Sequence, residues 1–302
     1  MIAAIPYFVL GVYSLNVPGV GVLPIDPWAT LVCIGFVIGL EVARARAISL
    51  KLDVRDIVDG AVFTVLMGFV IAHVVTVVFY FPERLYENGA MGGVLSILRV
   101  WEGFSSTGGF VGAVIGAWIF YTWIRPVGAL RHADIICFGF PFGWFFGRMG
   151  CSVVHDHIGS LTTLPIGMAF PDYHVAHGLR HELGIYEMTY MIPVMILFWF
   201  LGREDRVPGF FLGLFAVAYA PVRFILDFLR NTDLVNRQDA RYFDLTPAQY
   251  GMIVLFFAGI WLLWSRDYEN FKPTMMSDDK APRPDAHAEP EPEPEPEPEE
   301  AT

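Results

Sequence analysis

The sequence predicts an all-α polytopic membrane protein with about seven transmembrane helices and a small head outside the bilayer. Two observations carry that prediction. Hydrophobic residues make up 55% of the 302-residue chain and charged residues only 17%, against about 25% charged in ordinary soluble domains. The apolar residues also fall in long runs, and the charges gather between those runs and at the C-terminus.

Residues 1–26 hold a short apolar stretch with no basic start, which suits a surface-lying or re-entrant segment better than a signal peptide. Spanning helices are expected at about residues 27–46, 57–81, 108–125, 133–149, 186–202, 209–230 and 248–265. The first ends in EVARARA and the second in VVTVVFYF before Pro82. The third, GFVGAVIGAWIFYTWI, is rich in small residues that allow close helix contact. The fourth, FGFPFGWFFGR, carries Pro141, which a membrane helix tolerates where neighbours satisfy the freed carbonyl. Segment 82–107 contains GGVLSILRVW, a candidate interfacial helix. Residues 150–185 are too long for a bare connection and predict a small structured head.

Arginine and lysine set the orientation. Arg44, Arg46, Lys51, Arg55, Arg125, Arg131, Arg203, Arg206, Arg266 and Lys272 fall on one side, and fewer basic residues fall on the other. The N-terminus is therefore expected outside and the C-terminus in the cytoplasm. Residues 266–302 read as an acidic, Pro/Glu-rich disordered tail with nothing apolar to bury. From Ser277 onward ten acidic residues face two basic ones, so most of the net charge of −11 belongs to the tail. No basic face or stripe is present, which argues against nucleic acid as a partner. Cys33, Cys137 and Cys151 are widely spaced and suggest neither a disulfide framework nor redox chemistry.

The stretch YAPVRFILDFLR, 219–230, sets charges into an oily run. At about 100° per residue, Tyr219, Arg223, Asp227 and Arg230 fall within an arc of about 80° on one helix face. A charge at the centre of a bilayer costs roughly 2.5–3.5 kcal/mol, so such residues face a bundle interior or a wet cavity. One reading is a ladder that only locks helices together; the other is a site. A second unusual stretch, FFGRMGCSVVHDHIG, places Arg148 between Gly147 and Gly150 at a helix end. Arginines converging there would suit an anionic phosphodiester, because the planar guanidinium binds phosphate oxygens in pairs. His155, His157, His174, His177 and His181 cluster nearby, and His155-Asp156-His157 and His174-x-x-His177 raise the alternative of a metal site, although no HExxH-like pair sits on a helix face and no metal is assigned. His73, inside an apolar run, is either a buried polar partner or part of the lining.

The order of these motifs resembles that of the prolipoprotein diacylglyceryl transferase family over roughly residues 20–265. GRMGC at 147–151 is similar to the family's G-R-x-G-N, GSLTTLPIGMAFP at 159–171 to its T-x-x-P loop, and RHELGIYE at 180–187 to R-H-P-x-Q-L-Y-E. YAPVRFILDFLR resembles Y-G-x-x-R-F-x-x-E-x-x-R, and PAQYGMIV at 247–254 the following M-G-Q segment. The resemblance implies a seven-helix enzyme of the bacterial inner membrane with a small periplasmic head. It would move diacylglyceryl from phosphatidylglycerol to the lipobox cysteine thiol of a prolipoprotein and release glycerol-1-phosphate, with no cofactor. Its partners would be phosphatidylglycerol, prolipoprotein signal peptides and membrane lipids. By the same resemblance Arg148 and Arg223 hold the lipid phosphate, Tyr219 stands beside the site, and Asp227 and Arg230 complete the helix. Asp156 falls on the family's glutamate and Gln249 on its glutamine.

The chain departs from the family pattern at several positions. Thr107 stands where the family has the histidine of H-G-G, Cys151 and Val154 replace two asparagines, and His73 takes the place of an arginine. A threonine takes no proton at neutral pH. The base has therefore moved to His155 or His157, or the chain is a phospholipid- or lipoprotein-binding paralogue with an altered or lost reaction. A metal-dependent membrane hydrolase built on the histidine cluster is the further alternative.

Overall fold

The computed structural model describes residues 4–19, 21–86, 89–99, 103–174, 176–234, 240–266, 268–274 and 276. Its helices are α1 (Pro27–Ser49), α2 (Val54–Val75), α3 (Gly89–Leu98), α4 (Ser106–Ile119), α5 (Ala129–Val154), α6 (Leu183–Leu201), α7 (Phe210–Leu226) and α8 (Pro247–Trp264). Five helical segments, Val54–Tyr80, Thr107–Ile124, Leu183–Leu201, Phe210–Leu229 and Pro247–Trp264, are long and apolar enough to cross a membrane. The short α3 overlaps the GGVLSILRVW stretch expected to be helical, up to Leu98.

Local chemistry sets the helix starts. Asp26 accepts from the Ala29 amide at 2.8 Å with Pro27 at the first helical position of α1, and Ser105 accepts from the Gly108 amide at the start of α4. Thr246 and Gln249 form a reciprocal capping box on α8. The helix expected at 133–149 is longer, since α5 runs through Pro141 and stops only where His155 turns left-handed at φ 52° and ψ 46°. By contrast, the helix expected at 209–230 ends earlier. Its last turn tightens to a 3₁₀ turn, Asp227–Leu229, and Arg230 is already extended.

The bundle is closest where glycines meet. A Cβ on Gly139 of α5 would lie 2.1 Å from the Gly39 carbonyl oxygen of α1, so only hydrogen fits there. The centre is aromatic: Phe138, Phe198, Phe211, Phe215 and Tyr219 are buried together, with Phe215 stacked on Tyr219 at 5.1 Å.

The expectation of an all-α chain needs correction, because two small sheets are present. β2 (Tyr13–Val17) and β3 (Gly21–Ile25) form an antiparallel hairpin within the segment expected to be surface-lying. Pro18 precedes Gly19 in that turn, and Gly19 and Gly21 take φ of 83° and 104°, which glycine adopts without strain. The other sheet, in the order β1-β5-β6-β4, joins β1 (Ile5–Pro6) to β4 (Ile158–Leu161), β5 (Met168–Phe170) and β6 (Gly178–Glu182). It forms the head, closed by a core of Ile158, Met168, Phe170, Ala176 and Leu234. Ile5 and Pro6, far from the other strands in sequence, thus belong to this sheet.

Beyond residue 265 the Thr274 amide donates to Asp205 at 2.9 Å, and Met276 packs against the cluster of Ala43, Ala47, Leu50, Ile57 and Ile135. The Glu/Pro run expected to be disordered lies outside the described residues.

Candidate active site

Three elements meet at one carboxylate. Glu187, in the first turns of α6, is buried between Arg148 of α5 and Arg223 of α7. Arg148 Nε lies 3.0 Å from Glu187 Oε2, and Arg223 Nη1 lies 3.5 Å from Oε1. Tyr219 donates to Glu187 Oε2 at 2.7 Å, and its oxygen accepts from Arg148 at 3.4 Å and from Trp144 Nε1 at 3.3 Å. Arg148 also lies over the Trp144 ring at 4.6 Å. Arg148 is thereby fixed by a charge partner and by packing, and Arg223 by its charge partners.

The chain of charges continues down α7. Arg223 Nη1 is 2.8 Å from Asp227 Oδ1, one helical turn away. Asp227 accepts from the Thr246 hydroxyl, which ties α7 to the start of α8. Tyr219, Arg223 and Asp227 therefore share one face, as the helical period predicts. Arg230 leaves that face. It lies 3.9 Å from Asp227, while its backbone bridges to Gly159 of the head. The Arg223 Nε–H, although buried, makes no hydrogen bond.

A second group adjoins Arg148. Arg148 Nη1 is 3.1 Å from His157 Nε2 and 3.9 Å from Cys151 Sγ, and His157 Nδ1 is 2.5 Å from Asp156. A guanidinium only donates, so His157 offers Nε2 as acceptor and gives its Nδ1–H to Asp156. Burial lowers the basicity of this imidazole, but Asp156, helped by Cys151, outweighs that and holds it at about 9. Ligand atoms of Cys151, Asp156 and His157 lie within 4.8 Å of one another.

His155 stands differently. Its Nε2–H donates to the Phe8 carbonyl at 2.5 Å, Nδ1 is 3.4 Å from Glu182, and the ring stacks on Tyr7 at 5.0 Å. Desolvation opposes its protonation, while Glu182 and the Phe8 carbonyl favour it and raise its pKa overall. Nε2 thus ties the segment after β1 to the head, while Nδ1 faces the carboxylate of β6. The other clustered histidines do not converge either: His174 accepts from the Ala176 amide, and His181 Nδ1 pairs with the Tyr186 hydroxyl.

These motifs are matched along their whole length by a family model described as prolipoprotein diacylglyceryl transferase, over residues 17–265. The chain belongs to that family. It is 30% identical to a phosphatidylglycerol–prolipoprotein diacylglyceryl transferase of Chlorobaculum tepidum over 177 residues, 58% of this chain and 60% of the relative. Against the protein of the same name from Nitratidesulfovibrio vulgaris (Hildenborough) it is 30% identical over 232 residues, 76% of this chain and 85% of the relative. Against that of Roseobacter denitrificans it is 27% identical over 280 residues, 83% of this chain and 93% of the relative.

Several residues expected at the transferase site stand apart from the Glu187 group. Thr107 packs against Gly251 of α8, and its buried hydroxyl has no hydrogen-bond partner. One turn further on, Phe110 reaches the Tyr219 ring at 5.8 Å. His73 clasps two backbone carbonyls, Ser96 at 2.9 Å and Gly103 at 3.3 Å. Gln249 spends its amide on the Thr246 amide and the Phe224 carbonyl. A Cβ on Gly150 would meet Trp28 at 3.2 Å, so this glycine seats α1, whereas at Gly147 the nearest atom would be Trp144 at 3.9 Å. The residue that sequence reasoning missed is Glu187. The signal was present in RHELGIYE, since a carboxylate opening an apolar helix needs a buried partner.

Proposed function

We propose that this chain transfers diacylglyceryl from phosphatidylglycerol to the lipobox cysteine thiol of prolipoproteins and releases glycerol-1-phosphate. The observation that carries the reading is the meeting of Arg148 and Arg223, from separate helices, on the two oxygens of Glu187. A glycerol phosphodiester brought to that place would find two planar donors already oriented, one with an unused N–H. Glu187 and Asp227 keep the arginines from repelling one another before the lipid arrives.

In the proposed reaction the thiol sulfur attacks the glycerol carbon that bears the phosphate. An S–C bond forms, the C–O bond breaks, and the phosphate monoester leaves with the electron pair. Arg148 and Arg223 stabilise the charge growing on the leaving oxygens. His157 takes the thiol proton at Nε2 once Arg148 has turned its Nη1–H from that nitrogen to the lipid phosphate, and Asp156 holds the imidazolium that results. Tyr219 orients Arg148 and Glu187 rather than reacting. Thr107 and His155 take no proton in this scheme. All seven long helices span the bacterial inner membrane, with the head on the periplasmic side, the C-terminus in the cytoplasm, and the signal peptide of the acceptor arriving within the bilayer.

The decisive experiment mixes the purified protein with phosphatidylglycerol vesicles and a lipobox peptide and follows peptide mass. A diacylglyceryl mass increment with release of glycerol-1-phosphate is expected. Binding of phosphatidylglycerol with no increment on the peptide would replace this reading with that of a non-catalytic relative.

A further inference from the structure

The first 25 residues contain no Asp, Glu, Lys, Arg or His; Asp26 is the first. Many of them are not hidden. Val9, Leu10, Val12, Tyr13, Leu15 and Val22 are between 41% and 66% exposed, all on the β2–β3 hairpin or the irregular segment leading to it. An uncharged, apolar hairpin of this kind in water would be an aggregation site.

Its surroundings indicate what covers it. A groove of about 570 Å³ begins at Pro24 and Ile25, at the end of the hairpin, and continues along α1 past Ala29, Cys33 and Val37. Asp26 does not make the groove polar, because its carboxylate caps α1 through the Ala29 amide and its carbonyl accepts from Thr30. Ile34, Phe36 and Val37, on the same helix, are also exposed. The apolar surface of the hairpin is therefore continuous with the outward face of a long helix that opens immediately after it.

Depth is limited by backbone chemistry. Among the described residues β2 and β3 pair only with each other, so the outer edge of each strand keeps free N–H and C=O groups. Such edges do not enter the hydrocarbon core, where nothing satisfies them. They are tolerated in the headgroup region, where the side chains reach the acyl boundary and the edges stay wet.

We propose that the β2–β3 hairpin is a membrane-interface anchor, lying in the headgroup layer with its apolar side chains on lipid and setting the height of the head. The link to the head is short. Ile5 and Pro6 pair with Met168 and Ala169 of β5, and the Phe8 carbonyl accepts from His155, the neighbour of Asp156 and His157. The hairpin starts only a few residues later, at Tyr13. Lipid contact at the hairpin therefore fixes how deep the Asp156–His157 loop sits. This proposal rests on the membrane-spanning reading and not on the transfer reaction.

The test uses the full chain in vesicles of phosphatidylethanolamine and phosphatidylglycerol. A nitroxide is attached at Val12→Cys or Val22→Cys in a Cys33→Ser background; Cys137 and Cys151 are buried. Native Cys33, exposed on α1, gives the lipid reference. Collision with oxygen, which partitions into lipid, is compared with collision with a nickel chelate, which stays in water. Oxygen is expected to exceed the chelate at both hairpin positions, by less than at Cys33. A chelate excess at either position overturns the anchor, and so does protection from both reagents, which would mean a protein cover. A water-like signal at Cys33 would overturn the membrane-spanning reading as well.

Discussion

The Nε of Arg148 lies 3.0 Å from Oε2 of Glu187, and neither side chain is more than 3% exposed. The same carboxylate faces Arg223 through its other oxygen. Removing Glu187 would leave two buried guanidiniums without their shared counter-charge. Breaking a buried pair from one side costs about 3–5 kcal/mol. Glu187→Ala should therefore lower the thermal midpoint in detergent strongly, while Glu187→Asp retains part of the stability. Unfolding monitored by tryptophan fluorescence checks both.

Arg148→Lys and Arg223→Lys keep the charge but lose the fork. Loss of one oriented donor to a developing anion lowers the rate by about 10²–10³-fold. Each variant should show that loss in the vesicle assay with little change in fold. A variant that retained full rate would show that the planar pair is not what holds the leaving phosphate.

The basicity of His157 sets a pH profile. As the base it acts when neutral, so the rate should rise with pH and level off above about 9. Asp156 is the main group that holds this imidazole up, against burial that lowers it. Asp156→Asn should therefore move the rising limb toward lower pH. A limb belonging to the incoming thiol would not move, so the pair of profiles distinguishes the two.

Thr107→Ala should change the rate by less than about threefold, because its hydroxyl has no hydrogen-bond partner to lose. His157→Gln should lower the rate by about 10²–10⁴-fold, the range for losing a positioned base. His155→Ala should act instead on the head, through the lost Phe8 and Glu182 contacts, and show as faster proteolysis of residues near the N-terminus. Rates and limited digestion of the three variants separate these roles.

Tyr219, Arg223 and Asp227 were legible as one face because a helical period needs only spacing. The period also misled at Arg230, since the last turn tightens and the chain straightens before that residue. Glu187 was harder to read: it sits singly in an apolar helix, and its partners come from two other helices. The clasp between Asp227 and Thr246 joins residues in different elements, which no local pattern announces. The hairpin was hidden for another reason. β2 does alternate, in Tyr13-Ser14-Leu15-Asn16-Val17, but its partner Gly21-Val22-Leu23-Pro24-Ile25 does not, and five residues are too few for the period to stand out beside an apolar run.

The glycine contact between α1 and α5 has a consequence for traffic through the molecule. With Gly139 and Gly39 backbones nearly touching, there is no room at that place for a hydrocarbon tail to slip between the two rods. A two-tailed lipid has to travel to and from the arginines along some other flank, and the peptide it serves must approach without prising this seam apart.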